Sequence, residues 1–463
     1  MKKILPILAV AVAAGVALSL LDREEPTTWT TDSPEALAEL ERGLEAMSKF
    51  YRGEASHHLQ LALEEDPGFA AALVFLARGE YSNSQQQAVF RERLRQVDLS
   101  SLQPREEALV RYTLADTDEA SRTTETAREI LENYLQDHPA DPVILQFYCT
   151  ALLDSRDPQD SDAVEECFRS LIELNPNWVQ AQNRLGYLAM AHGRFEEAEE
   201  RFRTYQYVAP QQANPHDSMG ELLLLLGRYE EAESELEQAI ALRPDFTASY
   251  ENLMQLFFYL EDPESAERIL DRAIEAGALS EKDRPGKRCL IDFYKAAYEL
   301  HWEGIWHVSE ACSSIRGMSL VEKYRSALWT GRLDEAREIE ATVRKAWHEG
   351  KTEDDHHAHI SPPTYHHMEG VRLAVQGRFN EAIQHFQKAD TLLPYMNLPT
   401  GTFKLQNRMA LADVLELTGQ HGRAGEILEA VRQVNPKILL QADYFSVPQI
   451  PTSVVETLEE SGP

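Results

Sequence analysis

Residues 184–210 read RLGYLAMAHGRFEEAEERFRTYQYVAP, and residues 219–244 repeat much of this phrase as MGELLLLLGRYEEAESELEQAIALRP. The second stretch matches the first after a shift of 34 residues, and some residues outside the two stretches recur at the same interval. A fixed period of this length is the mark of an array of repeated structural units. The positions that recur are Gly186 and Gly220, Gly193 and Gly227, Ala198 and Ala232, and Pro176, Pro210 and Pro244.

Each period contains two helical patterns. In Val179–Ala191 the apolar residues fall at 181, 185, 188 and 189, which is the spacing of one helix face. Gly193 is expected to end this helix, because glycine tolerates a left-handed backbone. A second helix is predicted over 195–207, with acidic residues in its first turn and a stop at Pro210. Each period therefore predicts one helical hairpin.

Small residues recur where the two helices of a hairpin must approach each other. Gly186 and Ala198 lie 12 positions apart, across the turn, and Gly220 and Ala232 have the same spacing. Two helices pack closely only where the side chains between them are small. A bulkier residue four positions after the alanine, such as Phe202, is expected to fill the space between neighbouring hairpins.

This pattern resembles the tetratricopeptide repeat family, over almost all of residues 36–438. Clear repeats begin at residues 36, 145, 179, 213, 247, 363 and 405. The resemblance implies an all-α fold, a right-handed superhelical solenoid of about ten stacked helix-turn-helix hairpins with a concave groove. We expect an N-terminal part of the array at 36–316 and a C-terminal part at 317–438, which contains a His-rich linker at 351–362. A C-terminal cap or tail is expected at 439–463.

The N-terminus carries an export pattern at residues 1–21, followed by a linker at 22–35. Lys2 and Lys3 precede an uncharged run at 4–21, which as a helix would span about 27 Å and cross a bilayer core. We expect an uncleaved inner-membrane anchor, with the array on the periplasmic side. The alternative is a signal peptide cleaved after Ser19, which would leave a soluble secreted or periplasmic protein.

The chain has four cysteines and a strongly acidic charge. The simpler interpretation of the cysteines is four buried thiols. The alternative is two local disulfides, 149–167 and 289–312, which need an oxidising compartment. The 77 acidic and 45 basic residues give a net charge of −32, which excludes nucleic acid as a partner that binds through bulk charge.

The family resemblance also implies which residues line the concave groove, because certain positions of each first helix face it. The lining is rich in amides, acids and aromatic rings and lacks the cations that would hold an acidic peptide. It therefore predicts a protein partner that offers a basic or apolar segment. The predicted groove residues are Asn183, Tyr187, Met190, Asp217, Glu221, Leu224, Glu251, Gln255 and Phe258.

The sequence contains no motif that points to catalysis, and it implies no cofactor. Histidines cluster at His356, His357 and His359 beside acidic residues, but without the helical spacing of a zinc site. They are weak metal candidates, and we expect a polar linker there. The predicted function is a non-enzymatic scaffold or adaptor. One alternative is a sensory or regulatory subunit of a signalling or envelope complex, and another is a His-rich metal-binding accessory protein.

Overall fold

The structure is a computed structural model that describes residues 29–78, 84–117, 124–154, 161–176, 178–299, 301–312, 320–349 and 362–438. These ranges contain 22 α-helices, one 3-10 turn at Leu99–Ser101 and no strand. The predicted all-α class is confirmed, and 22 helices correspond to eleven hairpins. The predicted segments 1–21 and 439–463, and the His-rich linker up to residue 361, lie outside the described residues.

The chain divides into two compact units, and the division falls inside a helix. The first unit is Met1–Leu185 together with Tyr207–Ala209, and the second is Gly186–Gln206 together with Pro210–Pro463. The boundary that the sequence suggested, at residues 316 and 317, lies inside the second unit.

Most helices of the first unit pack around one apolar cluster, which includes Leu40, Leu73 and Leu131. Its described helices are α1 (Pro34–Ser48), α2 (Arg52–Glu65), α3 (Ala70–Ala77), α4 (Ser84–Leu94), α5 (Pro104–Thr117), α6 (Thr124–Asp137), α7 (Pro142–Asp154) and α8 (Ser161–Leu174).

The second unit has two apolar clusters, one around Leu236 and Leu253 and one around Tyr324 and Phe386. Helix α9 starts in the first unit and ends in the second, and the last two residues of α10 belong to the first. The remaining helices are α9 (Val179–Ala191), α10 (Phe195–Val208), α11 (Ala213–Leu225), α12 (Tyr229–Leu242), α13 (Thr247–Tyr259), α14 (Pro263–Glu275), α15 (Arg284–Tyr298), α16 (Trp302–Ala311), α17 (Leu320–Trp329), α18 (Leu333–Glu349), α19 (Pro362–Val375), α20 (Phe379–Leu392), α21 (Leu398–Leu417) and α22 (His421–Val434).

Local chemistry explains where several helices begin and end. The Ser33 hydroxyl accepts a hydrogen bond from the Ala36 amide at 3.1 Å, and a proline follows it in the first turn of α1. The Asp262 carboxylate caps α14 in the same way. Between the helices of a hairpin, Gly193 adopts a φ of 72° and Gly227 a φ of 70°. The predicted glycine turns are confirmed at both positions.

Gly186 and Gly220, each inside a first helix, make room for one large side chain of the same hairpin. A Cβ atom on Gly186 would lie 2.4 Å from Cε1 of Phe202, and one on Gly220 would lie 2.7 Å from Leu236. We expected Phe202 to lie between hairpins. The ring packs directly on the glycine 16 residues before it in its own hairpin, and it also belongs to an apolar cluster that contains residues of the next hairpin.

Both pairs of cysteines form disulfides, so the interpretation as four buried thiols is wrong and the alternative is confirmed. Cys149 on α7 is bonded to Cys167 on α8, with their Cα atoms 5.5 Å apart. Cys289 on α15 is bonded to Cys312, directly after α16, with Cα atoms 6.1 Å apart. Each disulfide therefore joins the two arms of one hairpin.

None of the helices in the described ranges combines the length and the apolar character that crossing a bilayer requires. The predicted anchor at residues 1–21 is not among these helices, because it lies outside the described residues.

Candidate partner-binding groove

The predicted groove residues lie on three consecutive first helices, α9, α11 and α13. Asn183 belongs to the first unit, where it is buried, and the other eight residues belong to the second. Met190, Leu224 and Phe258 are buried in the apolar cluster of the second unit. In this structure these three side chains are core residues, and the polar chemistry of the groove in the second unit comes from Tyr187, Asp217, Glu221, Glu251 and Gln255.

Tyr187 and Glu221 form the central polar contact of the groove. The Tyr187 hydroxyl donates a hydrogen bond to Oε2 of Glu221 at 2.6 Å and lies 3.3 Å from Oγ of Ser218. Burial raises the pKa of the Glu221 carboxyl, although the Leu398 amide and the Tyr187 hydroxyl donate to it and oppose this change. The contact joins α9 to α11 at equivalent positions of two repeats.

Asp217 lies one turn before Glu221 on α11 and is buried. Its Oδ1 accepts hydrogen bonds from the Ser249 hydroxyl at 2.8 Å and from the Asn252 amide at 3.1 Å. Burial first, and then the nearby Glu221 carboxylate, raise the pKa of Asp217 to about 7. Two carboxyl groups with raised pKa values therefore lie side by side on the groove face.

The α13 residues make contacts with the next first helix, α15. Phe258 stacks on Tyr294, with ring centroids 4.2 Å apart and an interplanar angle of 15°. The Gln255 amide lies 3.4 Å from the Tyr294 hydroxyl. Glu251 is ion-paired to Lys287 and is the one exposed side chain among the nine predicted residues. Glu251 is thus the most accessible of the predicted groove positions.

A segment of the chain itself lies in this groove. We call residues 393–402 the groove plug; they include the link between α20 and α21 and the first turn of α21. The backbone amide of Leu398 donates to Oε1 of Glu221 at 2.8 Å. The amide of Tyr395 donates to the Ala191 carbonyl at 3.2 Å. The plug therefore binds the groove through backbone groups.

Side chains of the plug complete its fit to the groove. The Thr402 and Tyr259 hydroxyl oxygens lie 2.8 Å apart, and the Tyr395 ring packs edge-on against Phe195 with centroids 5.2 Å apart. A Cβ atom on Gly401 would lie 2.8 Å from Cδ1 of Leu225, so this position accepts only glycine without rearrangement. Tyr395 and Leu398 are 7% and 1% exposed.

Sequence reasoning missed the plug, although a signal was present. The repeats that start at 363 and 405 are 42 residues apart, eight more than the usual period. The extra residues lengthen α21 to 20 residues, whereas α9, α11 and α13 have 13 each. The added N-terminal turns of α21 are the part that enters the groove.

The residues that follow α22 also contact this part of the second unit. The Lys437 ammonium lies 3.1 Å from a carboxylate oxygen of Glu230, and Ile438 is buried. A Cβ on Gly227 would lie 2.4 Å from Oδ1 of Asn435, so that turn is in contact with the C-terminal segment. The last hairpin is therefore fixed to the α11–α12 hairpin at two places.

A metal site has no support within the described ranges, since they hold no group of three or more His, Cys, Asp or Glu residues suited to a metal ion. The weak candidates His356, His357 and His359 lie outside the described residues. The partner-binding role of the nine groove residues stays a prediction.

Comparisons with known proteins agree on the repeat. A family model described as tetratricopeptide repeat matches residues 216–246, and a second model of the same description matches residues 150–216. No curated protein matches the chain.

Three solved structures illustrate the similarity. MamA, residues 41 to the end, from Desulfovibrio magneticus RS-1 is 18% identical, covers 36% of this chain and 94% of its own, and has a TM-score of 0.30. A tetratricopeptide repeat protein from Parabacteroides merdae ATCC 43184 is 14% identical, covers 63% of this chain and 97% of its own, and has a TM-score of 0.35. A human IFIT1 dimer with m7Gppp-AAAA is 15% identical, covers 92% of this chain and 94% of its own, and has a TM-score of 0.38. At these values the similarities carry no argument about function.

Proposed function

The chain belongs to the tetratricopeptide repeat family, and from this premise we propose that it is a non-enzymatic scaffold outside the cytoplasm whose groove binds a basic or apolar protein segment. Arrays of this family present extended concave surfaces to protein partners. The scaffold role in general follows from the repeats, and the place and the partner are our proposal.

This proposal rests on the observation that the groove plug is bound in the groove. The Ala191 carbonyl on α9 and the Glu221 carboxylate on α11 accept hydrogen bonds from backbone amides of the plug, and Phe195 at the start of α10 packs against its Tyr395 ring. Main-chain hydrogen bonds of this kind give a bound segment affinity, and pockets for its side chains give specificity. The buried carboxyl group of Asp217 and the partly buried one of Glu221 add attraction for a positively charged residue.

The disulfides support a location outside the cytoplasm. Disulfide bonds persist in oxidising compartments and are rare in the reducing cytosol. Cys149–Cys167 and Cys289–Cys312 join helices in the first and second unit, respectively. Together with the export pattern at residues 1–21, they favour an array held at the outer face of the inner membrane, or one released there after cleavage.

Site-specific photo-crosslinking in intact cells tests the proposal. A photoreactive amino acid replaces Glu251, which is exposed on the first helix α13, and in a matched variant replaces Glu264, which is exposed on the second helix α14. We expect a discrete adduct from position 251 that is absent from position 264. Identical adducts from both positions, or none from either, would contradict a partner site on the first-helix face.

A further inference from the structure

We propose that the groove plug is an internal ligand and that an external protein segment carrying a Lys or Arg residue displaces it. This inference rests on the proposed function, because it specifies the partner of the same groove. It also gives the groove a closed state, in which the plug is bound, and an open state, in which a partner takes its place.

The first step of the argument is that the plug contacts the groove through backbone groups, which a segment of another sequence also offers. Two of its backbone amides, at Tyr395 and Leu398, donate to Ala191 and Glu221. Backbone donors are common to almost every residue type, so such contacts give affinity without fixing the sequence. The backbone amides of an external segment can therefore donate to the same acceptors, and the groove need not rearrange.

The second step concerns charge. Residues 393–402 read LPYMNLPTGT and contain no Lys or Arg. Among the described residues, the hydrogen bonds to Asp217 and Glu221 come from neutral groups: two side chains of α13, the Tyr187 hydroxyl and a plug amide. Buried carboxyl groups without a cation favour their neutral form, and the pKa values of both are raised.

A basic residue from outside would change this balance. A guanidinium or ammonium group near Asp217 and Glu221 would form charge-assisted hydrogen bonds, which are about twice as strong as neutral ones. The plug offers no such group. A basic segment is therefore the occupant that the groove favours over its own plug, and an uncharged segment would have no advantage over it.

The third step is that the plug is also held by its own hairpin. The buried Lys404 ammonium donates to the Leu393 carbonyl at 2.6 Å, and Arg408 donates to the Tyr395 hydroxyl at 2.7 Å. These contacts lie within α20, the link and α21, and none of them involves the groove. The plug therefore keeps anchoring contacts that do not depend on its place in the groove.

A glycine exchange provides an opened variant and a matched control. Gly401→Leu introduces a side chain where a Cβ alone would already lie 2.8 Å from Leu225, so it is expected to expel the plug. Gly425→Leu makes the same exchange within α22, where nothing lies within 4 Å of the new Cβ. Helical content by circular dichroism checks that both variants fold.

Binding is measured by fluorescence anisotropy with two synthetic peptides. One has the sequence of residues 392–403, and the other carries Leu398→Lys, at the buried position whose backbone amide donates to Glu221. We expect Gly401→Leu to bind both at least tenfold more tightly than wild type and Gly425→Leu do. We also expect the basic peptide to bind Gly401→Leu more tightly than the neutral one, and this preference to vanish when Asp217→Asn and Glu221→Gln are added.

Hydrogen exchange on the wild-type protein gives a second readout that does not depend on the variant. Saturating basic peptide is expected to speed amide exchange in residues 395–402. Unchanged exchange there, or equal peptide binding by Gly401→Leu and wild type, would overturn the inference. If the Glu251 adduct forms while both peptide results are negative, the internal-ligand inference fails and the proposed function stands. If the peptides behave as expected and no adduct forms, the proposed function fails.

Discussion

Gly186 and Phe202 set the distance between the arms of their hairpin at the scale of single residues. A Cβ on Gly186 would lie 2.4 Å from the Phe202 ring, so Gly186→Ala forces the ring or the helix to move. Overpacking of this kind costs about 1–3 kcal/mol, and the better helix propensity of alanine offsets up to about 1 kcal/mol. We expect a net loss of about 1–2 kcal/mol in the free energy of unfolding, measured by urea denaturation.

Gly425 provides the control for that measurement, because it also lies inside a helix but has nothing within 4 Å of an added Cβ. Gly425→Ala is expected to raise the free energy of unfolding by up to about 1 kcal/mol. A similar effect of the two substitutions would mean that the Gly186–Phe202 contact does not limit the approach of the helices.

Asp217 makes stability depend on pH. Its pKa is raised from 3.8 to about 7 in the folded protein, so between these values the unfolded chain ionises while the folded chain keeps its proton. The stability that this group contributes is therefore complete below about pH 4 and is lost as pH rises toward 7. Asp217→Asn does not titrate. Its free energy of unfolding relative to wild type should increase by about 1.4 kcal/mol per pH unit across this window.

Urea denaturation of both proteins at several pH values between 4 and 8 measures this difference. Ser249→Ala serves as a control that removes one hydrogen bond to Asp217 without removing the titrating group. If the difference between Asp217→Asn and wild type stays flat with pH, the Asp217 carboxyl does not titrate in this range.

The disulfides act at the scale of the hairpin. They close loops with sequence separations of 18 and 23 residues, for which the chain-entropy model gives about 3 kcal/mol each. Cys149→Ser with Cys167→Ser is expected to destabilise α7 and α8, and Cys289→Ser with Cys312→Ser is expected to destabilise α15 and α16. Hydrogen exchange followed by mass spectrometry resolves the two regions.

Reduction of the wild-type protein should speed amide exchange in both hairpins. In each variant, reduction should not change exchange in the hairpin whose two cysteines have already been replaced by serine. If reductant alters exchange in neither region, the two bonds do not contribute to the stability of their hairpins.

Elements that depend on local pattern were predictable from the sequence, and contacts between distant elements were not. The limits of α9 agree with the prediction, since an apolar helix face and a following glycine are encoded within 15 residues. Cysteine pairing was left open because spacing alone does not say whether two side chains face each other. The plug was missed because an eight-residue excess shows that an insertion exists but not where it packs.

The same distinction holds for the groove residues. The family pattern places Tyr187, Glu221 and Glu251 on first helices, and the structure puts them there. The partial burial of Glu221 could not be predicted, because a segment more than 170 residues later lies against it. Met190 and Leu224 are buried because apolar residues on this face pack into the core of the second unit.

At the scale of the whole chain, two features bear on where the protein works. All four cysteines are paired, and an uncharged run at residues 4–21 follows two lysines. The disulfides need an oxidising environment, and the uncharged run after two lysines is typical of a segment that directs export. Each feature supports the other, because a chain kept in the cytosol would not hold these bonds.

Thiol labelling in cells tests this joint argument. A membrane-permeant alkylating reagent, applied under denaturing conditions without reductant, adds mass only to free cysteines. The full-length protein should remain unlabelled, and a variant without residues 4–21, which we expect to stay in the cytosol, should gain four labels. Full-length protein reduced before alkylation should also gain four labels and calibrates the shift. Free thiols in the unreduced full-length protein would place its array in a reducing compartment and would remove the support that the disulfides give to a location outside the cytoplasm.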